Sequence, residues 1–271
     1  MTLWLWVRNP RRIDDFSEGD CPPASRRVVL YLVKQEVIMI TTILFDLDGT
    51  LLPMDQEQFV RAYLSSMARK MAPLGYDPDA LVKAVWAGTA AMVKNTTDNT
   101  NEQVFWQVFE QLLGEVADKS PFDEFYAEDF PRLQDQCGFN PMAAQAIAEI
   151  KALGYRTVLS TNPLFPAVAT YCRAGWAGLK PEDFSLITTY ENSSRCKPNP
   201  DYYREILGKL NLNPGECLMV GNDVDEDMIA SQIGMDVFLL TDCLINRSGQ
   251  DISRYPSGSF PELLAFIRSL S

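Results

Sequence analysis

The sequence predicts an α/β protein: a mostly parallel sheet wrapped by helices on both faces, with a helical segment inserted after the first strand. Three observations carry that prediction. Short apolar runs alternate with helical stretches from residue 140 onward, the signature of a parallel sheet. Polar and acidic clusters fall directly after those runs, where such sheets gather their ligand-binding loops. Residues 56–139, between the first run and the rest, carry helical periodicity alone.

The first run is Ile43-Leu44-Phe45, followed by Asp46-Leu47-Asp48-Gly49-Thr50-Leu51. It reads as a buried strand with its acids at the end. In extended chain, residues two apart point the same way, so Asp46 and Asp48 can share one pocket. Two carboxylates that close persist when a cation neutralises them or when one holds a proton. The alternative is a capped strand end with two solvated aspartates. Gly49 lets the backbone turn sharply beside the pocket.

Upstream, residues 1–38 differ from the rest. Trp4-Leu5-Trp6 precedes Arg8, Pro10, Arg11 and Arg12, and a polar stretch runs to Pro22-Pro23. No basic region leads a long apolar core, so this is a poor signal peptide, and Val28–Val33 is too short to span a membrane. Met39 stands where such a domain would begin. The segment is expected to be a poorly ordered extension; a further strand at Val28–Val33 is the alternative.

In the insertion, Asp55 can cap a helix with Gln58 at its third position, and Phe59, Tyr63, Met67 and Met71 recur every four residues. Asp77-Pro78 opens a second helix carrying Leu81, Val82, Val85 and Trp86. A third carries Val104, Phe105, Val108 and Phe109, and Ser120-Pro121 opens a fourth. These stripes read as the core of a helical cap over 56–139, a lid over the site. The α/β core is expected over 39–55 and 140–271. Within it, helices are predicted from Asn140-Pro141, around Phe165–Ala174, from Asn199-Pro200, over Asp225–Ile233 and over Pro261–Leu270. Further strands are predicted at Thr157–Leu159, Phe184–Thr189, Cys217–Val220 and Val237–Leu240.

Composition narrows the chemistry. Of 271 residues 46% are apolar and 22% charged, ordinary for a soluble globular chain. A net charge of −12 argues against nucleic acid or an anionic membrane as main partner. There is no histidine, which removes imidazole bases, His-based triads and His-ligated zinc together. The six cysteines are scattered without a C-x-x-C pair and read as reduced thiols of a cytoplasmic protein.

Three more clusters follow predicted strands. In Ser160-Thr161-Asn162-Pro163 a hydroxyl beside a helix start can donate to a phosphate oxygen, or simply cap the helix. In Cys196-Lys197-Pro198-Asn199-Pro200 the lysine can set its ammonium against the carboxylates, or be solvated. Asp223-Val224-Asp225-Glu226-Asp227 holds four acids in five residues after an apolar strand. An oxygen-rich Mg²⁺ site explains them economically, and the helix macrodipole accounts for Asp225 and Glu226.

Together these stretches resemble the haloacid dehalogenase (HAD) superfamily. Asp46 to Leu51 matches its first motif, Asp-x-Asp-Gly-Thr-Leu. Thr161 followed by Asn162 resembles the second, Lys197-Pro198-Asn199-Pro200 the third, and Asp223 with Asp227 the fourth. The four occur in the family order. The chain departs from the pattern in having Gly221-Asn222-Asp223 where many members have Gly-Asp. The resemblance implies a HAD-like Rossmannoid core with an inserted α-helical cap, and a Mg²⁺-dependent phosphatase acting on a small phosphorylated metabolite. It implies Asp46 as nucleophile, Asp48 as acid and base, and Thr161, Asn162 and Lys197 as holders of the phosphoryl group. Asp46, Asp48 and Asp223, with Asp227 second, would hold the metal. A phosphomutase would use the same residues. A dehalogenase would need neither Mg²⁺ nor Asp48. A non-catalytic phosphometabolite-binding scaffold would not need the acids intact. For the substrate, the cap aromatics Phe59, Tyr63, Trp86, Phe105 and Trp106 read as helix packing, and Lys70, Lys83 and Lys94 as solvated.

Overall fold

A computed structural model describes residues 39–270. The expected extension over 1–38, and the alternative strand at Val28–Val33, lie outside the described residues. The strands are β1 (Thr42–Phe45), β2 (Arg156–Leu159), β3 (Cys217–Gly221), β4 (Asp236–Leu240) and β5 (Ser257–Gly258). They form one parallel sheet in the order β2-β1-β3-β4-β5. The helices are α1 (Gln56–Met71), α2 (Pro78–Val93), α3 (Asn101–Leu113), α4 (Ser120–Glu124), α5 (Pro141–Ala152), α6 (Ala167–Trp176), α7 (Pro200–Leu210) and α8 (Phe260–Arg268).

Strand alternation divides the core in two. Ile43 and Phe45 share one face with Leu218, Val220 and Phe238, covered by Ile147 and Ile150 of α5 and Leu263 and Ile267 of α8. Leu44 shares the other with Met219, Val237 and Leu239, covered by Tyr203 and Ile206 of α7. A sheet buried on both faces needs apolar residues at every strand position, which is why the strands read as unbroken apolar runs. β1 lies between β2 and β3, with Phe45 level with both Leu159 and Val220. Asp46, Ser160 and Gly221 therefore leave the sheet side by side.

The whole insertion sits between β1 and β2. Asp55 accepts from Gln58 N at 2.9 Å and Asp77 from Ala80 N at 2.8 Å, as their cap positions predict. Thr100 and Gln103 form a reciprocal capping box at the start of α3. The fourth predicted helix is short: after α4 the chain takes a π-helical turn at Phe125–Asp129 and a 3₁₀ run at Phe130–Gln136. Pro131 has no N–H to return to the preceding turn, so α-helical bonding cannot continue through it.

Two more expectations are corrected. Phe184–Thr189 runs beside β2 and bonds it through Ser185 N to Thr157 O, Leu159 N to Leu186 O and Thr188 N to Leu159 O, but the pairing is a single bridge at Leu159–Ile187 rather than a continued strand, and the Thr188 hydroxyl turns inward to the Thr161 carbonyl at 2.7 Å. The helix expected over Asp225–Ile233 is a 3₁₀ run at Met228–Ile233. Residues 224–227 form a turn ahead of it, with the Asp223 carboxylate capping the Asp225 and Glu226 amides. The short β5 was not foreseen: two residues carry no periodicity.

The insertion is bonded to the core at several places, among them a ring stack and the start of α3. Phe130, fully buried, stacks on Trp176 of α6 with centroids 5.5 Å apart. The first amides of α3, which have no partner in their own helix, donate to core loops: Asn101 N to Ser193 O at 2.8 Å and Glu102 N to Tyr190 O at 2.9 Å. Among the described residues the five cysteines are free thiols, and no helix is long and apolar enough to cross a membrane. Because Phe130 joins insertion to core, Phe130→Ala is expected to lower unfolding free energy by about 3–5 kcal/mol, read by denaturant titration. A loss below about 1 kcal/mol would show that the insertion does not depend on this contact.

Candidate active site

Three loops meet at the carboxyl ends of β1, β2 and β3. Asp46 N donates to Val220 O at 2.9 Å and Ser160 N to Phe45 O at 2.7 Å, so each loop is pinned to its neighbour. The Ser160 hydroxyl also bonds Phe45 O at 3.1 Å and is buried beneath the pocket. Thr161, next along, lines the pocket. Its carbonyl accepts from the hydroxyls of Thr188 and Tyr202, at 2.7 and 2.9 Å, which fixes its main chain.

Lys197 reaches this point from the loop before α7. Asn199 caps that helix by accepting from Asp201 N at 2.9 Å, and Pro200 occupies its first turn. The Lys197 ammonium is buried between two carboxylates, 2.8 Å from Asp46 Oδ1 and 2.7 Å from Asp227 Oδ1. Burial alone would drive a lysine toward neutrality; Asp227 and Asp46 outweigh it and hold the ammonium well above its ordinary range. The second oxygen of Asp46 accepts from the Thr50 hydroxyl at 3.2 Å. Thr50 also donates to Asn222 Oδ1 at 2.8 Å, and Asn222 donates to Cys243 O at 2.7 Å. The extra Asn in Gly221-Asn222-Asp223 thus ties three loops together. Gly49, at φ 94°, is packed so closely on Asn222 that a Cβ would lie 2.4 Å from its Nδ2.

Asp48 points to the other side of the pocket, where its Oδ2 pairs with the Arg173 guanidinium. Arg173 is only 1% exposed and lies over the Phe165 ring at 4.4 Å. Burial pushes the Asp48 carboxyl up; Arg173 pulls it back and Asp46 adds to the rise. Asp223 lies on the third loop. Its Oδ1 caps Asp225 N and Glu226 N at 2.9 and 3.0 Å, and its Oδ2 accepts from Arg247 at 3.1 Å. Asp227 has both oxygens engaged, one by Lys197 and the other by Asp223 N at 2.9 Å. Its carboxylate lies against Gly221, where a Cβ would fall 2.1 Å from Oδ2.

These residues enclose a pocket of about 40 Å³ lined by Asp46, Asp48, Thr161, Asn162, Asp223 and Glu226. The sequence-predicted residues Asp46, Asp48, Thr161, Asn162, Asp223 and Asp227 all line it, and Lys197 bonds Asp46 and Asp227 from behind. Sequence reasoning missed three groups. Glu226 faces the pocket and accepts from Asn162 Nδ2 at 3.1 Å. Burial raises its carboxyl, Lys197 works against that, and Asp223 adds to it. Gln56, at the start of α1, donates to the Asp48 carbonyl at 3.3 Å. Arg173 belongs to the buried stripe of α6 with Ala169, Thr170 and Trp176, and a charged residue on an apolar stripe is the signal that could have found it.

Asp48 Oδ1 and Asn162 Oδ1 are buried acceptors with no protein donor, and Arg173 Nε is a buried donor without an acceptor. Buried polar atoms of this kind call for a partner. Acceptor oxygens beside Asp46, Asp223 and Glu226 suit a hard, oxygen-seeking cation, so the residues present fit Mg²⁺. Lys70, considered for a substrate's second charge, instead pairs with Glu124, Glu128 and Asp129, and Lys83 and Lys94 are exposed.

An open parallel sheet, with paired carboxylates at its central strand and a buried lysine on the first of them, defines an α/β enzyme whose working groups are acids and one amine. Residues 40–232 match the family model described as haloacid dehalogenase-like hydrolase. Protein CbbY of Cereibacter sphaeroides is 28% identical over 201 residues, which cover 73% of this chain and 82% of CbbY. A phosphoglycolate phosphatase of Yersinia pestis is 29% identical over 198 residues, covering 73% of this chain and 79% of that protein. The solved HAD phosphatase from Thermococcus onnurineus shares the fold, with a TM-score of 0.51 at 19% identity over 84% of this chain and 98% of that one. The chain belongs to the haloacid dehalogenase-like hydrolase family, in its phosphatase branch with a helical insertion.

The lysine clamp has a measurable consequence. Lys197→Met strands two buried carboxylates and is expected to cost about 3–5 kcal/mol in denaturant titration. Adding Asp227→Leu removes one stranded charge and should restore part of that loss. If the single variant is as stable as the parent, the clamp does not hold the loops.

Proposed function

We propose that the chain is a Mg²⁺-dependent phosphatase that hydrolyses a small phosphomonoester through a phosphorylated Asp46. The observation that carries this reading is the Lys197 contact at 2.8 Å, which sets an ammonium against one oxygen of Asp46 and holds that carboxylate at the pocket. A carboxylate is a weak nucleophile, and fixing its orientation supplies much of the rate. Asp46 attacks phosphorus, the ester P–O bond breaks, and Asp48 gives its proton to the departing alkoxide. Asp48 then takes a proton from a water that attacks the acyl phosphate, returning Asp46 and releasing inorganic phosphate. Burial raises the proton affinity of the Asp48 carboxyl while Arg173 opposes the rise, which suits a group that gives up and then takes back a proton. Thr161, Asn162 and Lys197 hold the phosphoryl oxygens.

Asp46, the Asp48 main-chain carbonyl and Asp223 would hold Mg²⁺, with Glu226 at the pocket wall. When bound, Mg²⁺ neutralises the crowded carboxylates and the phosphoryl charge. Asp227 serves Lys197 rather than the metal, being fully buried against that ammonium and the Asp223 amide. The insertion over 56–139 forms the cap of a core made by 39–55 and 140–270, and the α3 contacts to Tyr190 and Ser193 hold it over the site.

Phosphate release from an aryl phosphate should require Mg²⁺, stop with EDTA and fall to background in Asp46→Asn. Metal-independent release, or turnover surviving in Asp46→Asn, would overturn the reading. Arg173 acts through Asp48 as a positioning residue. Arg173→Met is therefore expected to lower kcat for alkyl phosphates at least tenfold, but less for nitrophenyl phosphate, whose leaving group hardly needs a proton. Arg173→Lys should recover part of the loss. An equal loss on both substrates, unrelieved by lysine, would point to a purely structural role.

A further inference from the structure

We propose that the alcohol released by this enzyme is apolar, with a body about the size of a benzene ring or a branched alkyl chain. This rests on the phosphatase reading and concerns what lies beyond its pocket. A second chamber of about 150 Å³ opens from the carboxylates. It shares Asp48, Gln56, Asn162 and Glu226 with the polar pocket. It shares Val60, Leu164 and Phe165 with a third cavity of about 130 Å³ inside the helical insertion. The three lie in series, each sharing a wall with the next, from Asp46 to the aromatic side chains of the cap.

The inner cavity is walled by aromatic and aliphatic side chains, among them Tyr63, Trp86, Phe105, Trp106, Phe122 and Tyr126. No Asp, Glu, Lys, Arg, Asn or Gln lines it. Its hydroxyls are already bonded within the protein. Tyr63 and Tyr126 bond each other at 2.8 Å, Thr89 donates to Val85 O at 2.8 Å, and Tyr190 is engaged by Trp106. The sequence assigns these aromatics to helix packing, yet packed cores leave few voids larger than a water. A dry apolar cavity of about 150 Å³ is known to hold benzene, so 130 Å³ is room for a comparable group.

The walls also discriminate. Between the carboxylates and the cavity, the charged groups are Asp48, Glu226 and Arg173, and Arg173 is already paired with Asp48. A substrate with a second anionic group would meet Glu226 and Asp48, with the charge of Arg173 already matched by Asp48. A polyol would bury hydroxyls against rings that cannot bond them, at the usual cost of unpaired polar groups. An apolar alcohol meets neither penalty and removes its own surface from water.

The test compares kcat/KM for benzyl, isoamyl and methyl phosphate with phosphoglycolate and ribose phosphate. These are all esters of alkyl alcohols, so leaving-group chemistry does not dominate. Benzyl or isoamyl phosphate should exceed each of the other three by at least about tenfold, the usual discrimination from filling an apolar pocket. Val60→Trp, at the throat, should remove that advantage while leaving methyl phosphate turnover unchanged; Leu164→Trp serves if the first variant does not fold. Fluorobenzene should bind the parent by fluorine NMR and fail to bind either throat variant. Phosphoglycolate, ribose phosphate or methyl phosphate matching benzyl phosphate would overturn the inference and leave the phosphatase reading standing. No turnover of any ester would overturn both.

Discussion

One buried ammonium group organises this molecule. Lys197 sits between Asp46 and Asp227, and a charge removed from water is tolerated only when its partners are close and fully bonded. The constraint propagates outward. Asp227 must lie flat on the strand end, so residue 221 has to be glycine. With Asp227 fixed, its free oxygen takes the Asp223 amide and sets the third loop. Asp46, held at one oxygen by the lysine, offers the other to Thr50, which anchors the turn after β1 through Asn222. A single cation thus orders the loops after β1 and β3, and the same contact sets its charge against the proposed nucleophile.

A second buried pair joins the chemistry to the insertion. Arg173 pairs with Asp48, lies over Phe165, and sits one helical turn before Trp176, on which Phe130 stacks. Phe165 belongs equally to the chamber beside the carboxylates and to the aromatic cavity in the insertion. Polar chemistry and apolar recognition therefore meet along one helix. This division fits a family whose core chemistry is shared and whose members differ in what covers the core.

The sequence made legible whatever depends on strand ends. Asp46, Asp48, Thr161 and Asp223 each follow an apolar run, and a parallel sheet leaves little choice about where such residues go, while Lys197 is legible from the Asn199-Pro200 helix start beside it. Caps were equally legible, since Asp55, Asp77, Asn140 and Asn199 each bond a helix-start amide as their type and place suggest. What depended on side chains from distant elements was not. Arg173 is one arginine among many until its helix is seen to bury it. Glu226 looks like an acid attracted to a helix N-terminus, and only the fold shows its carboxylate turned to the pocket and to Asn162. The cap aromatics show helical spacing whether they fill a core or wall a cavity; only the way three helices and the Leu164-Phe165 loop meet decides between the two.

The central claim is that Asp46 becomes phosphorylated, and the most direct measurement is its covalent state during turnover. An Asp48→Asn variant, mixed with aryl phosphate and Mg²⁺ and quenched in acid, should accumulate a phosphoryl group that mass spectrometry locates on the peptide containing Asp46. Asp48→Asn removes the base for the second step while an aryl leaving group spares the first. Phosphate found on another residue, or continued turnover with Asp46 unmodified in every quench, would contradict the account.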